Sequence, residues 1–222
     1  DCLLSRGLGD VYKRQRLCHA MLDRACQRGA TLSWPVDVTA LHPADGGILL
    51  ETTDGRTCHA RDVILATGYE RAPLFLPPAF GLHSTLAIAT PPGSAPLWGE
   101  QAMIWEASDP YLYVRTDRLG RIIAGGEDID TSDEAGRDAL LGAKAGTIAA
   151  KLETMLQNGP ITIDRQWAAT FGASPDGLPA IGSVATMPNV WMAAGFGGNG
   201  IAFASLAAQM LERESVSYTH LR

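Results

Sequence analysis

The sequence predicts a mixed α/β and α+β chain, an α/β unit interrupted by an antiparallel-sheet unit. Three observations carry that expectation: a helix followed by strands and a hairpin, then a meander of short strands closed by one long helix, then a strand, a glycine-dense turn and a last helix. The divisions follow as 16–70 and 166–214 for the α/β unit and 71–165 for the insertion. Residues 1–15 and 215–222 resemble stretches that recur at the ends of unrelated assembled sequences, and both are expected to be non-native.

Arg16 to Gly29 reads as a helix, with Leu17, Ala20, Met21 and Ala25 spaced for one buried face and Gly29 as its stop. Strands are expected at Ala30–Trp34 and Val38–Leu41 on either side of Pro35. A ribbon of Gly47–Thr53 and Thr57–Ala66 should turn at Asp54-Gly55. Residues 71–98 hold Pro73, Pro77, Pro78, Pro91, Pro92 and Pro96, a composition that suits a crossing between units, with the boundary near Glu70.

Beyond the crossing, Ala102–Ala107, Tyr111–Thr116 and Arg121–Gly125 form a predicted meander. Thr131 and Glu134 have the spacing of a capping box for a helix over 132–157. Its face is Leu141, Ala145, Ile148, Leu152 and Met155 or Leu156, and Asn158-Gly159-Pro160 ends it.

The 222 residues are 46% hydrophobic and 19% charged, enough for a substantial core. A net charge of -6 argues against an electrostatic grip on nucleic acid or anionic lipid and favours a small organic partner. Cys2, Cys18, Cys26 and Cys58 form neither a CxxC pair nor a Cys/His cluster, so no metal site or disulfide framework is expected and a reducing cytoplasm fits. The longest apolar run, Ile201–Leu211, is about half of the ~20 residues needed to span a bilayer and reads as a buried helix.

The sharpest chemical signal is Gly195-Phe196-Gly197-Gly198-Asn199-Gly200-Ile201, lying between an apolar strand and a helix that Asn199 could cap. A helix N-terminus offers free N–H donors and partial positive charge, which suits electron-rich oxygen or developing negative charge. Just upstream stands Asp176-Gly177-Leu178-Pro179-Ala180-Ile181-Gly182. Together the two segments resemble the closing pattern of the D-amino-acid oxidase/glycine oxidase family of FAD-dependent oxidoreductases.

The likeness covers residues 16–214. It implies a partial FAD/NAD(P)-binding domain of the glutathione-reductase-like kind, with an inserted substrate domain. It places Val38 where the family's backbone contacts adenine, and Ala66-Thr67-Gly68 on the turn passing close to the cofactor. Gly195, Gly197, Gly198, Asn199, Gly200 and Ile201 would face the flavin. Arg115-Thr116, Arg121 and Gly125-Gly126-Glu127-Asp128 are similar to a stretch of substrate domains in related bacterial flavoproteins.

What the resemblance lacks is the family's N-terminal βαβ unit with GxGxxG, whose glycines bind the FAD pyrophosphate, so this chain is expected to represent an oxidase without working alone.

Two departures bear on substrate and cofactor. Relatives carry an Arg for the substrate carboxylate where this chain has Phe171, and some attach flavin to a Cys where it has Ala169, so FAD is expected without a covalent bond there. Arg115 is the substitute anion anchor, since alternation puts Tyr111, Tyr113 and Arg115 on one strand face, and Trp105, Trp167 and Phe171 could wall an apolar pocket. No catalytic side chain is assigned.

The reaction implied by the resemblance is hydride transfer from the carbon beside a substrate amine to flavin N5, giving an imine that water hydrolyses; oxygen or another acceptor would reoxidise the flavin. A hydroxy-acid dehydrogenase of the same architecture and a non-catalytic binding domain are the alternatives.

Overall fold

The computed structural model describes residues 11–69, 76–95, 102–157 and 159–219, with the backbone alone for 11–14 and 215–219. Cys2, the boundary near Glu70, Pro73, Pro96, Asn158, and 1–10 and 220–222 of the two ends lie outside these residues. The chain divides into two compact units, one of Leu82–Thr170 with residues 1–24 and the other of Ala25–Gly81 with Phe171–Arg222.

In the first unit, β5 (Gly81–Ala89), β6 (Ile104–Trp105), β7 (Leu112–Thr116), β8 (Ile122–Ile129) and β9 (Arg165–Ala173) form a sheet of order β6-β7-β8-β5-β9. The expected meander is the β6-β7-β8 part of it, antiparallel throughout. Leu86, Ile88, Leu112, Val114, Ile122 and Ala124 alternate onto one face and meet Ala145, Ile148, Ala149 and Leu152 of α2 (Glu134–Leu156). Burying each large aliphatic side chain contributes about 1.5–3 kcal/mol, so this two-layer core is what holds the sheet flat side to the helix.

The cap differs from the expected one. Asp133 is the N-cap and accepts from the Gly136 amide at 2.7 Å, while Thr131 Oγ1 accepts from the Asp133 amide at 3.1 Å. The Asp133 carboxylate, two residues nearer the helix, reaches a helical amide and wins over the Thr131–Glu134 reciprocal pair. The reading of 71–98 as a crossing also missed β5, a nine-residue strand whose Leu86 and Ile88 are fully buried. Its alternating apolar residues are flanked by prolines that dominate the local composition.

In the second unit, β1 (Val38–Ala44), β2 (Gly47–Thr52) and β3 (Thr57–Ala60) make an antiparallel sheet. β4 (Val63–Leu65), β10 (Ala180–Ser183) and β11 (Val190–Ala194) make a second, of order β10-β11-β4. Ile48, Val63, Leu65 and Val190 pack the two together. The expected continuous strand Thr57–Ala66 is broken at Arg61-Asp62, so its halves serve different sheets. At the β2–β3 turn Gly55 alone takes a positive φ, and the Asp54 carboxylate accepts from the Thr52 hydroxyl at 2.6 Å.

Three further expectations fail on burial or pairing. Ala30–Trp34 forms no strand, and Trp34 is 86% exposed. Helix α1 (Val11–Gln27) starts earlier than expected, and its apolar face is open, with Met21 63% exposed. Helix α3 (Gly200–Thr219) buries only Ala207 and Leu211 of the run 201–211, so the run is not a buried helix. Apolar periodicity locates such faces, but burial needs a second surface, and no described residue covers these.

Candidate functional site

The α/β unit gathers its chemistry-bearing turns at one sheet edge. β4 runs parallel to β11, with Val63 opposite Val190 and Leu65 opposite Met192. Both strands therefore end at the same edge, which sets the Ala66-Thr67-Gly68 turn beside the turn that starts at Gly195. β10 is antiparallel to β11 and begins with Ala180 opposite Ala194, which brings Asp176-Gly177-Leu178-Pro179 to that edge as well. The region outside the carboxyl ends of parallel strands is where α/β sheets take ligands.

Each turn has a local cause. Asp176 Oδ1 accepts from the Leu178 amide at 3.0 Å and the Ser174 hydroxyl at 2.8 Å. Those bonds, the amide first, hold its carboxyl below the usual range, so Asp176 shapes its own turn. Gly195 has φ 70°, and a Cβ there would overlap the Phe80 ring. Its glycine is thus needed for packing within the chain.

Gly198 and Gly200 differ, because a Cβ at either would meet no atom within 4 Å, and at Gly197 only the Gly172 carbonyl at 3.9 Å. Bare backbone with open space above it leaves room for close approach of another group. A 3-10 turn, Gly197–Asn199, precedes α3, and Phe196 at its start makes no side-chain cap bond. Ile201, 45% exposed, opens the helix. Val38 stands apart, half-buried at the start of β1 on the other sheet.

In the antiparallel unit, the sheet face turned away from α2 carries the other predicted residues. Val114 and Leu112 point to α2, so Tyr113 and Arg115 point away. Tyr113 lies opposite Gly125, where a Cβ would overlap its ring, and Arg115, 6% exposed, lies opposite Ile123. On β9, Ala168 packs against the α2 core, so Trp167, Ala169 and Phe171 alternate to the other side.

Sequence reasoning named the aromatic residues of that face but missed Asp128 beside them. Trp105 stacks on Tyr111 with centroids 4.8 Å apart and 9° between planes, and on Tyr113 at 6.2 Å. Tyr111 donates to Asp128 Oδ2 at 2.9 Å. Burial first, then the Asp128 carboxylate, push the Tyr111 hydroxyl well above the ordinary tyrosine range, so it stays a donor.

On the opposite face the buried Glu127 meets Lys144 at 3.0 Å and Lys151 at 2.5 Å. Burial raises its pKa, but the two ammonium groups outweigh that and hold it below the usual value. The signal available in sequence was the Glu127/Lys144/Lys151 spacing across a strand and a helix face.

The FAD dependent oxidoreductase (DAO) family model matches residues 2–213, and the chain belongs to that family.

Among solved structures it is similar to glycine oxidase from Geobacillus kaustophilus, with 23% identity and TM-score 0.65, covering 89% of this chain and 53% of that one. Iminodiacetate oxidase from Chelativorans sp. BNC1 gives 22% and 0.66, over 89% and 53%, and L-proline dehydrogenase from P. horikoshii 22% and 0.64, over 85% and 51%. The chain thus spans about half the length of these relatives, and the likeness is one of fold. A curated Polaromonas sp. protein, a tRNA 5-methylaminomethyl-2-thiouridine biosynthesis bifunctional protein, is 38% identical over 64 residues, 29% of this chain and 9% of that protein. No helix among the described residues is long and apolar enough to cross a membrane.

Proposed function

We propose that the protein oxidises the C–N bond of a small amine or amino acid with non-covalently held FAD. The observation that carries the cofactor half is the convergence of Ala66–Gly68, Asp176–Pro179 and Gly195–Gly200 at one edge, with open space over Gly198 and Gly200. FAD, when bound, supplies hydride acceptance. The backbone of 197–200 would lie against its ring, and the start of α3 would stabilise negative charge arriving there. Ala169 offers no thiol for attachment.

The substrate half rests on Arg115, a nearly buried guanidinium on an otherwise aromatic and small-residue face, which suits a carboxylate. Tyr113, Trp167 and Phe171 would wall the site, and no acid or base is required of the chain if the amine arrives unprotonated. A reducing cytoplasm suits the exposed Cys18, Cys26 and Cys58.

The test is anaerobic reduction of the FAD-loaded full-length protein by panels of amines, amino acids and 2-hydroxy acids. Bleaching by amines, and flavin released by acid precipitation, are the expected results. Bleaching by hydroxy acids alone refutes the amine assignment, and flavin retained in the precipitate refutes non-covalent binding.

A further inference from the structure

We propose that the Trp105–Tyr111–Tyr113 stack, with Asp128 behind it, is a subsite for an organic cation, the alkylammonium end of the substrate. The proposal rests on the amine-oxidising reading and deepens it, because Arg115 on the same face would take the anionic end. Tyr111 and Arg115 are about 13 Å apart along the strand at ~3.3 Å per residue, so the substrate would be an elongated one with separated charges.

The site is built by a bulge. Ser84 pairs with Ile129 and Leu86 with Gly126, so two steps on β5 face three on β8. Gly126 has φ 140° and a Cβ there would overlap the Tyr111 carbonyl, while Glu127 has φ 53°. Strict alternation after Ala124 and Gly126 would send Asp128 to the α2 face and Glu127 away from it. The extra residue exchanges them. Glu127 reaches Lys144 and Lys151, and Asp128 reaches Tyr111 on the far face.

Arg115, two positions past Tyr113, is the basic residue that β7 brings to the far face. Asp128 is in no ion pair among the described residues, and its Oδ1 is buried without a hydrogen-bond partner. Residues 102–112 contribute Glu106 and Asp109 and no basic group. Lys151 donates to the Pro110 carbonyl at 3.2 Å from the α2 side, where Glu127 already faces it. Trp105, 62% exposed, stacks on Tyr111 and at a wider angle on Tyr113, so much of its indole is open to solvent. An indole face with an uncompensated carboxylate behind it attracts an organic cation, and Trp is the strongest such surface.

Choline and its neutral tert-butyl analogue, with carbon in place of nitrogen, separate charge recognition from simple apolar contact. Titrated into the full-length protein and followed by tryptophan fluorescence and calorimetry, choline should bind about tenfold more tightly than the analogue. Asp128→Asn, isosteric and still able to accept from Tyr111, should remove most of that preference. Trp105→Leu, at an exposed position, should remove binding.

Equal binding of the two probes, no binding of choline, choline binding untouched by both variants, or preferential binding of adenosine as a flat neutral ring would each overturn the proposal. Failure here is separable from failure of the proposed reaction. Flavin bleaching by amines without choline binding removes the subsite alone, and choline binding without any bleaching removes the reaction alone.

Discussion

Replacing Glu127 by Gln tests the charge arrangement beneath β8. The wild-type carboxylate side chain is 6% exposed and engages two ammonium groups at 3.0 and 2.5 Å, whose own side chains are 29% and 31% exposed. Each charge-assisted contact is worth about 1.5–3 kcal/mol when well buried, and solvent around the lysines roughly halves that, leaving a loss of about 2 kcal/mol at neutral pH. For a unit of this size the midpoint should fall by about 8–16 °C.

The pH dependence follows from the depressed carboxyl. Its stabilisation is complete above the unfolded value near ~4.3 and is lost as pH falls through the lower folded value. Urea unfolding of wild type and Glu127→Gln should therefore show the full gap at about pH 7 and a closing gap below about pH 4. A gap under ~0.5 kcal/mol at neutral pH, or one that does not change on acidification, would refute the reasoning.

Leu152→Ala, at a fully buried position in the α2 core, should cost about 2–5 kcal/mol in chemical denaturation. Asp133→Ala removes the N-cap bond to Gly136 and should cost about 0.5–2 kcal/mol, read from the same curves. Gly195→Ala must both hold a left-handed backbone and displace Phe80. It should destabilise the α/β unit by at least about 1–3 kcal/mol and lower the flavin content of purified protein, whereas Gly198→Ala should lower flavin content with little change in unfolding.

The meander and the α2 face were legible because their periodicities are clean and both partners lie within the same stretch of chain. Leu141, Ala145, Ile148 and Leu152 read as a helix face, and all four line the core. β5 was hidden by the prolines around it. The open faces of α1 and α3 were misread because periodicity reports the existence of an apolar surface, while burial depends on what lies against it.

At the candidate site, local motif density pointed to Gly195–Ile201, and only the parallel pairing of β4 with β11 put Ala66–Gly68 beside it. The place of Asp128 behind the aromatic residues was illegible for a sharper reason. Strand alternation assigns Asp128 to the wrong face, and a single inserted residue in β8, which leaves no mark in the pattern, corrects it.

The pairing of β4 with β11 also sets an order of events during synthesis. Leu65 and Met192 are about 127 residues apart, so on a ribosome adding ~5–20 residues per second β4 waits on the order of ten seconds for its parallel neighbour. Through that interval its edge is without the strand that covers it, and the antiparallel unit, whose contacts lie within the intervening stretch, can complete itself first. Delayed closure of this kind exposes an apolar edge to other nascent chains. The yield of folded protein should therefore depend on how quickly the last thirty or so residues emerge, more than on the intrinsic strength of the sheet they complete.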